Sequence, residues 1–179
     1  MWEKLDLPRQ DWERMLGFSI PDGKELLIVT YDGIARLNLE TLKQAPFDDR
    51  YPEGEGIYEL ARSALRYDGQ TYQIVGVYGG APLLHNSLGE RIVLGVEEEE
   101  EEKEEKEEKD TPDGRRVKAT SAESTLVIQD QDGTPSFEFT FQNFSRDWQR
   151  ATFTRDGTYL VLGMPYDIYA FRRRDSGAQ

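Results

Sequence analysis

Short apolar stretches separated by polar turns recur along the whole chain. Residues 26–30, 72–77, 125–128 and 159–162 are each rich in leucine, β-branched or aromatic side chains. Runs of this length, bounded by Gly, Asp or Pro, predict β-strands. Few segments keep apolar residues at helical spacing over ten positions. Residues 57–65 are the exception and predict either a short helix or an irregular first strand.

Asp-Gly pairs divide these stretches at near-equal intervals. They begin at Asp22, Asp68, Asp113 and Asp156, and the successive spacings are 46, 45 and 43 residues. An Asp-Gly pair supplies the positive φ that a tight hairpin turn requires. Two further pairs begin at Asp132 and at Asp32. Regular spacing of one turn signal predicts a repeated supersecondary unit, present here about four times.

The residues around the first and last of these pairs support a repeat. Trp12 precedes its Asp-Gly pair by ten residues, and Trp148 precedes its own by eight. After each pair come an apolar run, a Tyr-Asp turn and a second apolar run; the Tyr-Asp turns begin at Tyr31 and Tyr166. We therefore interpret the units as copies of one strand–turn–strand arrangement.

The last unit, Phe-Thr-Arg-Asp-Gly-Thr-Tyr-Leu-Val-Leu-Gly at 153–163, resembles the inner strands of a WD-repeat propeller blade, and residues 113–133 resemble one too. In that family Asp-Gly ends strand a, and a second turn joins strands c and d. Asp132-Gly133 falls at the second turn, with 137–141 as strand d. In the second unit, residues 83–84 and 92–94 flank Gly89 in the same way. The resemblance implies an all-β fold of four propeller-like blade units, a small or partial β-propeller; a β-sandwich is the alternative.

The repeat occupies residues 1–179 as a single domain, and its last unit ends after three strands. If residues 2–7 form a strand, that strand would complete the last unit as its fourth, which is how propellers commonly protect an open sheet edge. Four arrangements stay open at this point: a closed four-blade ring, a half-propeller completed by a second protein, an open stack of sheets, and a sandwich.

Acidic residues dominate the charge of the chain. The net charge is −13, and residues 97–109 contribute −7 of it through ten Glu and three Lys. Without an apolar face, residues 97–112 predict an inserted loop, disordered or a solvated helix; the alternative is a tether for a basic partner. An acidic surface repels phosphates and argues against nucleic-acid binding. Arg172–Arg174 is the one basic cluster, and we interpret it as a solvated tail.

We find no catalytic, cofactor or metal-binding signature in the sequence. His85 is the only histidine, Asp130 and Asp132 lack the closing Glu of a calcium loop, and cysteine is absent. We assign turns to both segments and expect no cofactor. No apolar run approaches the ~18 residues of a membrane span, and the N-terminus lacks a secretory signal. These features predict a cytoplasmic protein with no membrane association.

Because the sequence has no catalytic signature, we expect the function to depend on a binding surface. The loops between strands b and c would share one face of a propeller, and Tyr and Met are enriched at the centres of interfaces. We therefore predict a non-enzymatic protein–protein interaction or scaffold module. An accessory subunit of a larger complex is one form that such a module takes. The alternative is an enzyme or a carbohydrate- or small-ligand-binding propeller with a carboxylate-lined centre. The predicted partner-binding residues are Tyr31, Asp32, Tyr78, Glu123, Met164 and Tyr166.

Overall fold

A computed structural model of the chain describes residues 1–9, 12, 14–48, 62, 64–96, 122–143 and 147–174. These residues form thirteen strands and no helix, so the prediction of an all-β chain is confirmed. The strands are Trp2–Lys4 (β1), Met15–Ser19 (β2), Glu25–Thr30 (β3), Gly33–Asn38 (β4), Lys43–Asp48 (β5), Ala64–Tyr67 (β6), Gln70–Gly76 (β7), Arg91–Val96 (β8), Ala122–Gln129 (β9), Pro135–Asn143 (β10), Arg150–Phe153 (β11), Tyr159–Met164 (β12) and Asp167–Arg173 (β13).

The strands form three antiparallel sheets. A six-stranded sheet has the order β5-β4-β3-β2-β7-β6, a three-stranded sheet has the order β10-β9-β8, and a four-stranded sheet has the order β1-β13-β12-β11. In the last of these, Trp2 pairs with Arg173 and Lys4 with Phe171. The predicted completion of the last unit by the N-terminal strand is thus confirmed for residues 2–4. The two ends of the described chain lie side by side.

Asp-Gly pairs lie at five of the hairpin turns, including Asp32-Gly33 between β3 and β4. The pairs that begin at Asp22, Asp68, Asp132 and Asp156 each join two neighbouring strands, and their glycines have φ values between 71° and 81°. Asp68 itself has φ 46°, so both central residues of the β6–β7 turn are left-handed, as a two-residue hairpin with matching twist requires. The pair at 113–114 lies outside the described residues, as does most of the segment 57–65.

The second unit departs from the predicted repeat. Its hairpin, β6–β7, extends the first sheet through pairing of β7 with β2. Residues 83–84 form no strand, because Pro82 lacks an amide hydrogen and the preceding Gly79 and Gly80 have φ of 88° and 92°. Leu83 instead accepts a hydrogen bond from the Phe153 amide at 2.9 Å. The four predicted units therefore yield three sheets in the described part of the chain.

Three apolar cores lie between four layers, which are the three-stranded sheet, the four-stranded sheet, strands β2–β5 of the six-stranded sheet, and the β6–β7 hairpin. The alternate side chains of β12 show how: Tyr159 and Val161 face the six-stranded sheet, while Leu160 and Leu162 face the three-stranded sheet. The four-stranded sheet is therefore buried on both faces, which explains its nearly continuous apolar sequence. A third core joins the other face of β2–β4 to the β6–β7 hairpin.

The six-stranded sheet curls strongly. In a flat sheet its edge strands β5 and β6 would lie about 24 Å apart, at ~4.8 Å per strand. Yet the Tyr67 hydroxyl on β6 donates a hydrogen bond to Asp48 on β5 at 2.8 Å. Arg36 of β4 also pairs with Asp68 in the β6–β7 turn at 2.6 Å. The hairpin therefore folds back over the outer face of its own sheet.

The acidic segment predicted at 97–112 lies outside the described residues. The strands on either side of it are neighbours: β8 ends at Val96, which pairs with Ser124 near the start of β9. A connection between two antiparallel neighbours is where an insertion least disturbs a sheet.

The β11–β12 turn is held by Asp156, which accepts hydrogen bonds from the Thr154 hydroxyl at 2.5 Å and from the Thr158 amide at 3.0 Å. Partial burial opposes ionisation of this carboxyl, but the hydrogen bonds outweigh it and lower its pKa. A lowered folded-state pKa stabilises the protein above the ordinary pKa of Asp, and this stability is lost as the pH falls through the folded value.

We expect Asp156→Ala to lower the free energy of unfolding by about 1 kcal/mol at pH 7, because the turn is partly exposed. The difference from the unsubstituted protein should shrink as the pH falls below 4. Urea unfolding at a series of pH values checks this. The same loss at every pH would contradict it.

Candidate functional site

Three turns bearing tyrosines meet at the start of β2. The Tyr31 amide donates to the Arg14 carbonyl at 3.0 Å, the Met15 amide donates to the Pro165 carbonyl at 2.6 Å, and the Val77 amide donates to the Leu16 carbonyl at 2.9 Å. Residues 14–16 thus hold the β3–β4, β12–β13 and post-β7 turns together. We call the surface formed by residues 31–32, 77–80 and 165–166 the tyrosine end.

The predicted residues on these turns differ in exposure. The side chains of Tyr78 and Tyr166 are 49% and 54% exposed. Tyr31 is half-buried against the core beneath the β6–β7 hairpin, and Asp32 beside it is exposed. The Arg62 guanidinium lies 5.8 Å from the centre of the Tyr78 ring. The tyrosine end therefore combines two well-exposed rings with a fixed, partly buried third.

Met164 does not belong to this surface. Its side chain is 3% exposed and packs in the core between the four-stranded and three-stranded sheets. The reason is strand parity: side chains alternate between faces, so Met164 points the same way as Leu160 and Leu162. Met164 is the one predicted partner-binding residue whose side chain is buried in this structure.

Glu123 lies beyond the tyrosines, on the three-stranded sheet. It is exposed at the start of β9 and accepts a hydrogen bond from Gln142 at 3.1 Å. The next residue, Asn143, donates to the Asp147 carbonyl at 3.3 Å. Asp147 in turn pairs with Arg14 at 2.5 Å. A chain of polar contacts therefore runs from the three-stranded sheet to the residue that anchors Tyr31.

The Arg14–Asp147 pair was not foreseen from the sequence. Both side chains are about one-third exposed, so the pair contributes no more than about 1 kcal/mol. A signal did exist, since Arg14 follows Trp12 by two residues and Asp147 precedes Trp148. The two tryptophans are both buried in the core between the six-stranded and four-stranded sheets. The repeated Trp thus marks two strands whose starts lie together.

A cleft of about 390 Å³ adjoins the tyrosine end. Its walls are residues 4–9 of the N-terminal segment and residues 166–169 at the start of β13. Burial, with Asp167 nearby, raises the pKa of the Tyr169 phenol, which stays protonated at neutral pH. Lys4 lies over the Tyr169 ring, with its amino group 4.8 Å from the ring centre. The cleft thus has aromatic and charged walls of both signs.

The remaining polar segments singled out in the sequence have local partners. The Asp130 carboxylate accepts the amides of Asp132 and Thr134 at 3.0 and 2.9 Å, which accounts for it as a hairpin turn. His85 is exposed and forms a short bridge with Arg91. In the part of the chain that the structure describes, no three His, Asp or Glu side chains cluster as a metal site.

The C-terminal arginines face acidic residues. Arg174 and Arg172 both pair with Glu3, Arg172 at 3.8 Å, and Arg173 pairs with Glu90 at 3.9 Å. The hydrogen bond from Arg174 lowers the pKa of the Glu3 carboxyl. These arginines therefore connect the end of β13 to β1 through Glu3 and to the loop before β8 through Glu90.

Comparisons with protein-family models, curated proteins and solved structures find no match to this chain. None of the described segments is a helix long and apolar enough to cross a membrane.

Proposed function

We propose that the chain is a non-enzymatic protein–protein interaction module that docks a protein partner on the tyrosine end. The observation that supports this most is the set of hydrogen bonds between residues 14–16 and three tyrosine-bearing turns. A surface whose turns are tied to a buried strand is ordered before binding. A partner then loses less conformational entropy on docking.

The side chains suit an interface. Tyrosine offers a large ring and a hydroxyl with few rotatable bonds, and it is enriched among the residues that dominate binding energy. Tyr78 and Tyr166 are two of the five large hydrophobic side chains that are well exposed in the described residues. Asp32 and Asp167, which lie beside Tyr31 and Tyr166 in the chain, add negative charge to the rim, and Glu123 lies further away on the three-stranded sheet. We therefore propose a partner surface that combines an apolar centre with Lys or Arg around it.

We further propose that the layers correspond to propeller-like blades. The three cores join the sheets of the third and fourth units, of the fourth and first, and of the first and second. Neighbours in this stack are also neighbours in the repeat, as in a propeller. No apolar core joins the sheets of the second and third units among the described residues. An open arrangement of this kind suits an accessory subunit that a partner completes.

Affinity capture from an extract of the native host tests the proposed docking surface. The bait pairs Tyr78→Ala with Tyr166→Ala, since both rings are exposed and their loss spares the cores. The control bait pairs Leu84→Ala with Leu88→Ala, whose side chains are 40% and 45% exposed on the loop before β8.

We expect proteins that the unsubstituted chain and the leucine control recover to be lost with the tyrosine bait. Removal of both tyrosine side chains should weaken the affinity for the partner at least ~30-fold. Equal recovery by all three baits would contradict docking on the tyrosine end.

A further inference from the structure

Most sheet edges of the molecule carry features that block further pairing. The edge strands β1, β6 and β11 have only three, four and four residues. The edge strand β5 contains Lys43 and Pro46. The outer edge of β8 is covered by Leu84, whose carbonyl accepts the Ile92 amide at 2.9 Å. Short length, lysine, proline and covering loops are the usual protection against edge-to-edge association.

Among the described residues, strand β10 has less protection, namely a register shift near its start, between Pro135 and Phe137. It has nine residues, Pro135–Asn143, its only proline is the first of them, and it contains no Lys or Arg. Its one charge is Glu138, which is exposed. Among the described strands β10 pairs with β9 alone. A long edge strand with one charge and an aromatic row is a template for another strand.

The two faces of β10 are clearly distinct. Phe137, Phe139 and Phe141 point toward the four-stranded sheet. The centre of the Phe139 ring lies 5.1 Å from the ring centres of both Phe171 and Tyr169. The alternate residues Ser136, Glu138 and Thr140 are exposed on the opposite face. A strand that pairs with this edge must keep its apolar residues on the phenylalanine face.

We propose that β10 pairs antiparallel with β10 of a second copy of this chain, about a two-fold axis at Phe139. The β9–β10 ladder shifts register between Pro135 and Phe137, so the regular part of this overlap is residues 137–141. It places Phe139 opposite its own copy and Phe137 opposite Phe141 of the second chain, so that three aromatic pairs form on one face. On the other face Glu138 lies opposite Thr140, and no like charges meet. The surface is self-complementary, as an isologous dimer requires.

Neighbouring registers fit less well. An axis at Glu138 sets two carboxylates directly opposite each other, which is destabilising. An axis at Thr140 places Phe137 opposite Asn143 and loses an aromatic pair. A shift by one residue would move the phenylalanines of one chain to the exposed face. The axis at Phe139 is therefore the favoured register.

The net charge of −13 on each chain opposes this contact at long range. Salt screens such repulsion, with a Debye length of about 8 Å at physiological ionic strength. The dimer therefore tightens as the salt concentration rises. Association held by ion pairs would show the opposite dependence.

Sedimentation equilibrium of the full chain, at several protein and salt concentrations, tests the proposal through charge changes at Thr140. Thr140→Lys places a lysine opposite Glu138 of the second copy twice per dimer, and Thr140→Glu places a glutamate there. Thr71→Lys and Thr71→Glu, at an exposed position on β7, change the net charge equally and serve as controls.

We expect Thr140→Lys to tighten the dimer about threefold to tenfold beyond Thr71→Lys, and Thr140→Glu to weaken it similarly relative to Thr71→Glu. A chain that stays monomeric in all five forms at high salt and the highest soluble concentration would overturn the proposal. A dimer that responds equally to changes at both positions would overturn it as well. Circular dichroism of each variant confirms that the fold is retained.

Discussion

Replacing Gly76 with Ala is expected to lower the free energy of unfolding by about 3 kcal/mol or more. A Cβ atom at this position would lie 2.2 Å from the Leu16 carbonyl oxygen and 2.5 Å from the Gly17 Cα. Both are backbone atoms of the neighbouring strand, so no side-chain rotation relieves the contact. Strands β2 and β7 would have to separate, and the β6–β7 hairpin would lose its attachment to the sheet.

Gly95→Ala is the matched control for this substitution. Gly95 also lies within a strand, but a Cβ there would have the Thr125 carbonyl oxygen, at 3.9 Å, as its nearest neighbour. Urea unfolding should show the large loss at position 76 and little change at position 95. Equal midpoints for Gly76→Ala and the unsubstituted chain would show that β2 and β7 are not in this close contact.

Replacing Trp2 with Ala is expected to cost about 3–5 kcal/mol of unfolding free energy. The Trp2 side chain is 4% exposed, its ring centre lies 5.6 Å from that of Phe153, and its indole N–H donates to Glu90 at 3.3 Å. Its loss leaves a cavity in the core between two sheets and removes one of the hydrogen-bond donors of Glu90, whose carboxylate keeps Asn86 and Arg173 as partners. The outer edge of β13 would then open, because β1 has only three residues to hold it.

The control for this measurement is Asp6→Ala, an exposed change in the same N-terminal segment, for which we expect an effect within about 0.5 kcal/mol. Thermal and urea unfolding of the two variants should therefore differ widely. Trp2→Ala with the stability of the Asp6 variant would contradict the completion of the four-stranded sheet by β1.

Much of the strand content was predictable because its signals are local. An Asp-Gly pair fixes the backbone of its own turn, so Asp22, Asp68, Asp132 and Asp156 identify four hairpins wherever those hairpins lie. The N-terminal strand was predicted from a missing fourth strand in the last unit. In both cases a signal within one repeat unit, a turn dipeptide or a missing strand, indicates the element that the structure contains.

The partners of the second unit were not predictable in this way. Attachment of β7 to β2 depends on the close approach of Gly17 and Gly76, which are far apart in the sequence. A glycine within a strand is compatible with a bulge, a bend or a close backbone contact, and only the fold shows which of them applies.

The places of the turns in the candidate site were easier to predict from the sequence than the burial of their side chains. The Tyr-Asp turns at Tyr31 and Tyr166 were assigned to one end of the molecule from their places in the repeat, and the hydrogen bonds of residues 14–16 bring these turns together. Burial of Met164 follows from its parity with Leu162, a signal present in the sequence that turn chemistry alone overlooks.

Photo-cross-linking tests the tyrosine end most directly. Benzoylphenylalanine replaces Tyr166 in one form of the chain and Leu88 in another, and each form is irradiated with the captured partner. The two positions are similarly exposed, at 54% and 45%. Tyr166 follows the end of β12, whereas Asn86, two residues from Leu88, lies beside Gly157, which precedes the start of β12. We expect a covalent adduct from position 166 and none from position 88. An adduct from position 88 alone would contradict docking on the tyrosine end.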